Sequence, residues 1–169
     1  MKFGMLTYLS VNARVLMMKK EIRENDPNSG KYTIPGGKLE PSEKGMHKPA
    51  GRSEATVREF KEETGLTLVN PTFRGVILFH NFERIFDNWS NPEDFLVYVY
   101  SATQYAGQLG KGKDNEVPLW VNEKDIPSLP KNIGDELIYQ WLNDSRFFIG
   151  IIKHKGKVLD EEGTYVDFF

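Results

Sequence analysis

The 169-residue chain contains no cysteine. Disulfide staples, thiolate metal sites and cysteine nucleophiles are therefore excluded, and a reducing compartment is compatible with the absence. No apolar run reaches the roughly 18 residues that span a bilayer. The opening MKFGMLTYLSVNARVLMM is interrupted by Thr7, Tyr8, Ser10 and Asn12 and lacks a small-residue cleavage site, so it reads as strand rather than leader. The expected location is the cytoplasm, without a membrane partner. An excess of positive charge is also missing. The 22 Lys and Arg against 24 Asp and Glu leave a net charge of −2. That excludes the basic footprint of a non-specific nucleic-acid binder, and no stable nucleic-acid binding is expected. An anionic ligand would have to be drawn in locally or through metal ions. Histidine is scarce, and His47, His80 and His154 are too scattered to read as a ligand set; hydrogen-bonded or surface roles suit them better. Repeats, low-complexity tracts and linkers are absent, so residues 1–169 are expected to form one domain.

Apolar residues make up 39% and charged residues 27% of the chain, the composition of a globular protein with its own core. Aromatic and β-branched residues predict strands at Phe3–Val11 and Arg14–Lys19, joined tightly through Asn12-Ala13. Polar residues 20–31 read as a loop, and a short strand from Tyr32 to Pro35 is expected to stop at Gly36-Gly37. Pro41, Gly45, Pro49 and Gly51 argue against a long helix before Ser53, which is a suitable N-cap for a helix to Thr64 with Gly65 as a left-handed cap. Further strands are expected at Thr67–Phe82, Phe95–Tyr105 and Val117–Val121, with residues 88–94 as a turn-rich connection. A second helix is read at Asp135–Leu142, and a final strand pair at Phe147–Lys153 and Lys157–Phe169. The inferred class is α+β, a mixed sheet flanked by helices.

Chemistry concentrates in Arg58-Glu59-Phe60-Lys61-Glu62-Glu63-Thr64-Gly65-Leu66. Residues three and four apart share a helix face, so Glu59, Glu62 and Glu63 converge, Arg58 reaches Glu62, and Val57 and Phe60 can anchor the helix to the sheet. Carboxylates this close repel one another unless a cation neutralises them, and hard oxygen donors suit magnesium or manganese. A charged run of this kind also describes an ordinary solvated helix face. Its setting favours the site: Gly36-Gly37-Lys38-Leu39-Glu40 precedes it, glycines there admit a bare backbone to a metal or phosphate, and Glu43 adds a carboxylate. The set Phe79, Phe82, Phe86, Trp89 and Phe95 reads as core and loop packing rather than a stacking platform.

These residues resemble the signature of the Nudix hydrolases: glycine, five residues, glutamate, seven residues, then Arg-Glu-aliphatic-x-Glu-Glu-x-Gly-aliphatic. Gly37, five residues, Glu43 and Arg58–Leu66 match, with Phe60 in place of an aliphatic residue and fourteen residues where seven are usual. The surplus falls around Lys44–Ala50. Trp120-Val121 with Glu123–Pro127 is similar to the family's late strand and acidic turn. Trp141–Phe169 is similar to the branch that removes oxidised purine triphosphates such as 8-oxo-dGTP.

The resemblance implies an α/β/α sandwich and a metal-dependent enzyme whose small-molecule nucleotide substrate loses pyrophosphate. Glu59, Glu62, Glu63 and the Gly37 carbonyl would hold Mg2+ or Mn2+. Glu59 or Glu116 would be the base that activates water, and Arg58 would orient a glutamate. Lys38 would meet a phosphate or remain a solvated lysine. Thr33, Asn132 and Asp135 occupy the places that hold the base in the oxidised-purine branch. Asn132 stands where that branch has tryptophan, and Asp135 also reads as a first-turn helix acid. Nucleotide-sugars, dinucleoside polyphosphates and RNA 5′ ends are alternative substrates, and a non-catalytic binding module is the reading from another class.

Overall fold

Two residues of left-handed backbone, Asn12 (φ 52°) and Ala13 (φ 58°), turn β1 (Lys2–Val11) back on β2 (Arg14–Lys20). Positive φ at both central positions matches the right-handed twist of the strands they join. In β2 the four residues Val15 to Met18 are all buried, so this strand is covered on both faces. The structure, a computed structural model, describes residues 1–26, 28–39, 49–82, 93–155 and 158–169. Glu43, His47, Phe86 and Trp89 therefore lie outside the described residues, as does most of the surplus segment.

The remaining elements in chain order are β3 (Tyr32–Thr33), β4 (Gly36–Leu39), α1 (Pro49–Thr64), β5 (Leu66–Val69), β6 (Thr72–Phe82), β7 (Glu93–Ala102), β8 (Gln104–Gly107), β9 (Glu116–Asn122), a 3-10 turn (Glu123–Ser128), α2 (Ile133–Leu142), β10 (Phe148–Lys155), β11 (Val158–Leu159) and β12 (Tyr165–Phe168). Among the described residues, ten strands form one sheet along the path β11-β10-β6-β7-β1-β2-β3, with β12 on β10, β4 on β1 and β9 on β2; β5 and β8 pair separately. The pairs β1–β7 and β6–β10 are parallel and the others antiparallel, so the sheet is mixed.

Strand alternation divides β1 between two cores. Met5 packs with Leu39 and Ala55, and Leu9 packs with Leu16 and Phe60, which places α1 on that face. Leu6 and Tyr8 point to the other face, against the cluster of Val15, Met17, Ile138, Tyr139 and Trp141 that carries α2. One helix on each face of a mixed sheet is the α/β/α sandwich expected. Among the described residues no helix is long and apolar enough to cross a membrane.

Several boundaries differ from the sequence reading. Gly36-Gly37 does not end a strand but begins β4, because Met5 and Leu6 of β1 pair with it from far along the chain. Helix α1 begins at Pro49 rather than after Ser53. The first turn of a helix needs no intrahelical N–H partner, so proline is tolerated there, and Ser53 lies inside the helix rather than capping it. The run at 67–82 divides into β5 and β6 at Asn70 (φ 48°) and Pro71. The run at 95–105 divides into β7 and β8, and the last strand splits into β11 and β12.

Gly65 ends α1 as expected, at φ 81° with its N–H donating to the Lys61 carbonyl at 2.8 Å. A Cβ there would meet the Gln108 carbonyl at 2.7 Å and the Gly110 nitrogen at 2.8 Å, both backbone atoms. Gly65→Ala should therefore cost roughly 2 kcal/mol from left-handed strain and displacement of the facing loop. Urea denaturation would check this, and an unchanged midpoint would contradict it.

Candidate active site

The buried ring of Phe60 fixes the rotation of α1, so the residues on either side of it turn toward the edge of the sheet. Thr64 secures the end of the helix. Its hydroxyl donates to the Phe60 carbonyl at 2.7 Å and accepts from the Leu66 N–H at 3.1 Å. Glu59 and Glu63, one turn apart, thereby face Gly37 of β4. A Cβ on Gly37 would stand 3.0 Å from Glu59 Oε2 and 3.7 Å from Glu63 Oε1, so any larger residue would crowd these carboxylates. The Gly37 carbonyl oxygen lies beside Gly4, 3.0 Å from where a Cβ would stand on that residue.

Arg58 bridges two of the glutamates, with Nη1 2.6 Å from Glu59 Oε1 and 3.1 Å from Glu62 Oε1. Glu62 is half exposed and also faces Lys113 Nζ at 3.8 Å. Glu116, at the start of β9, pairs with Lys20 at 3.2 Å. Glu63 is the most perturbed of the set. Its carboxyl is pushed up to about 7, chiefly by burial and then by the charges of Glu116 and Glu59, against the lowering effects of Lys113 and a Gly36 backbone hydrogen bond. One of its oxygens, Oε2, is buried without a hydrogen-bond partner. Such an atom carries a desolvation cost that a cation would relieve. Among the described residues no three carboxylate or imidazole groups already stand as a closed metal cluster, and Glu62 pairs instead with Arg58 and Lys113. The donor set is nonetheless all oxygen, negatively charged and open on one side, which fits a hard divalent cation.

A second group lies at the start of α2. The Thr33 hydroxyl is 3.4 Å from Asp135 Oδ1. Burial pushes the Asp135 carboxyl up to about 6, opposed by hydrogen bonds from Thr33 and from the side chain and backbone of Asn132. Asn132 is itself held by Lys31 Nζ at 2.8 Å and donates to Asn28 at 3.3 Å, which ties the loop before β3 to the helix. Tyr139, one turn beyond Asp135, packs edge-to-face on Tyr8 with ring centroids 6.1 Å apart, and its hydroxyl is buried without a hydrogen-bond partner. Lys131 steadies the approach: its nearly fully buried ammonium meets the Ile126 and Leu129 carbonyls and Glu136.

Thr33 and Gly37 are four residues apart in a nearly extended run, a reach of at most about 14 Å. That short run of backbone is what links the two groups. Lys38 belongs with neither: it is exposed, and alternation turns it away from the face that Gly37 presents to the carboxylates. His80 pairs with Asp94 at 2.8 Å and His154 stacks on Phe79. Phe79 and Phe95 pack against the core, as read from the sequence. The sequence reading missed Lys113, Tyr8, Tyr139 and Lys31. The one local signal was Gly110-Lys111-Gly112-Lys113, a glycine-flanked lysine pair just before Glu116.

Residues 3–142 match the family model described as NUDIX domain. An uncharacterized Nudix hydrolase of Bacillus subtilis (strain 168), YvcI, is 27% identical over 136 residues, which cover 79% of this chain and 74% of that protein. The mutator MutT protein of Bacillus halodurans superposes with a TM-score of 0.77 at 23% identity, covering 99% of this chain and 98% of that one. The NUDIX domain of Shewanella oneidensis NrtR, solved with ADP ribose, gives a TM-score of 0.62 at 12% identity, with 83% and 85% covered. At these identities the two structures speak for the fold, and the first extends the likeness through β10 to β12.

Proposed function

The chain belongs to the Nudix family and is a pyrophosphohydrolase, and we propose that it cleaves a nucleoside triphosphate, an oxidised purine such as 8-oxo-dGTP included, to the monophosphate and pyrophosphate. The observation that carries this reading is the unpartnered Glu63 oxygen beside Glu59, at a strand position where glycine leaves room. Glu59, Glu62 and Glu63, with the Gly37 carbonyl as a further donor, would hold magnesium or manganese. When bound, such an ion neutralises charge developing on the phosphates and makes water more acidic.

The residues of the chain do the rest. Glu59, fixed by Arg58, takes the proton of the water that attacks phosphorus as the bridging P–O bond breaks; Glu116, fixed by Lys20, is the alternative base. Arg58 holds Glu59 and Glu62 in register. Thr33, Asn132 and Asp135 receive the base, and an Asp135 carboxyl near 6 can donate or accept a hydrogen bond close to neutral pH. Lys38 is free to meet the outer phosphates only from the rim. We further propose that residues 1–169 act as one domain on a small-molecule nucleotide in the cytoplasm.

The test is a screen of the purified protein with Mg2+ against canonical and oxidised nucleoside triphosphates, nucleotide-sugars and dinucleoside polyphosphates, with a chelator control. Chelator-sensitive release of monophosphate and pyrophosphate is the expected result. Turnover confined to nucleotide-sugars or dinucleotides would replace the substrate, and no turnover of any triphosphate with either Mg2+ or Mn2+ would overturn the triphosphate reading.

A further inference from the structure

Lys113 stands at the carboxylates without belonging to the family signature. It projects from residues 108–115, between β8 and β9, and this loop is built rather than loose. Its backbone is pinned at three places: the Gly110 N–H donates to the Thr64 carbonyl at 2.8 Å, the Glu116 N–H to the Lys113 carbonyl at 3.0 Å, and the Glu21 N–H to the Asn115 carbonyl at 2.9 Å; the Arg23 guanidinium adds a bond to the Asn115 side chain. Gly112, at φ 84°, has no room for a Cβ, which would overlap the Glu116 carbonyl. Asp114 and Asn115 are also left-handed. The turn therefore aims the following lysine back at α1. There Lys113 Nζ lies 3.8 Å from Glu62 Oε2, and its charge also acts on Glu63.

Two half-exposed groups at that distance pair weakly. A divalent ion carries twice the charge and binds carboxylate oxygen directly, so an ion held by Glu62 would displace the ammonium. The released lysine, on a four-carbon stem whose root is fixed by the loop, is left beside the place where phosphate must lie to be attacked. We propose that Lys113 is a tethered counter-cation that competes with the divalent ion for Glu62 and then pairs with a phosphate of the substrate. This rests on the proposed Nudix site and assigns its phosphate contact to a residue outside the signature.

The two halves of this role predict effects of opposite sign from one substitution. In Lys113→Met, titration with Mn2+ alone, followed by calorimetry, should show roughly threefold to tenfold tighter binding, because a competing positive charge has gone. In the same variant KM for the nucleoside triphosphate should rise about tenfold, because a charge-assisted phosphate contact has gone. Lys113→Arg should restore both values toward wild type, and Lys111→Met should leave both nearly unchanged. A purely structural lysine would lower the melting temperature without tightening Mn2+. If the wild type binds Mn2+ and Lys113→Met binds it equally with unchanged KM, the inference is overturned while the metal site stands. If the folded wild type binds no Mn2+, the proposed site falls and takes this inference with it.

Discussion

Glu59→Gln should lower kcat about 1000-fold at saturating Mg2+, with KM for the nucleotide changed by less than about threefold. The substitution is nearly isosteric, which matters where a Cβ on Gly37 would already be 3.0 Å from Glu59 Oε2. It removes the charge that accepts the water proton and keeps the volume. Arg58 retains Glu62 as a partner, so the helix face is not stranded with an unpaired cation. One repulsive charge beside Glu63 also disappears, so the melting temperature should hold or rise, and lost activity cannot then be ascribed to lost folding. Glu116→Gln, measured in parallel, should cost about tenfold through the altered charge around Glu63 alone. The reverse order, with Glu116→Gln the more damaging, would move the base to Glu116. Equal losses of a few-fold in both would remove general-base catalysis by either residue.

The part of this site that is legible in sequence is the part fixed by helix geometry. Spacings of three and four between Glu59, Glu62 and Glu63 put them on one face wherever the helix lies, and Gly65 caps it because few residues other than glycine adopt φ 81°. What local pattern could not supply depends on distant pairing. Gly36-Gly37 reads as a terminator until Met5 and Leu6 bring it into the sheet. The ion pair of Glu62 with Lys113 depends on a lysine 51 positions later, delivered by a loop whose path is set by Thr64, Glu21 and Arg23. Tyr8 and Tyr139 are ordinary core aromatics in sequence and become neighbours only when β1 lies beneath α2. Proline and glycine misled at Pro49 and Gly51 for the converse reason, since a helix whose later turns pack on the sheet tolerates both in its first turn.

Asp135→Asn should stabilise the protein while impairing recognition. Its carboxyl is raised from 3.8 to about 6, with burial as the leading cause, so the native state binds the proton more tightly than the unfolded chain. Below about pH 4 both states are protonated and this group carries no penalty. As pH rises through about 6 the native carboxylate must ionise in a buried setting, and stability is lost across that window. Asparagine keeps the shape and the Thr33 and Asn132 neighbours without that cost. At pH 7.5 the variant should therefore be more stable by roughly 1–3 kcal/mol, with a flatter stability profile between pH 4 and 6. If Asp135 reads the base of the nucleotide, KM should rise at least about tenfold with kcat nearly unchanged, the pattern of a lost binding contact remote from the reacting phosphorus. A carboxylate that served only the dipole of α2 would give the opposite stability result, a loss of roughly 0.3–1 kcal/mol with KM unmoved. Denaturation across pH and steady-state kinetics on one variant thus separate the two roles. A polar group that lowers stability is retained where it binds something, and the sign of the stability change is the measurement that decides.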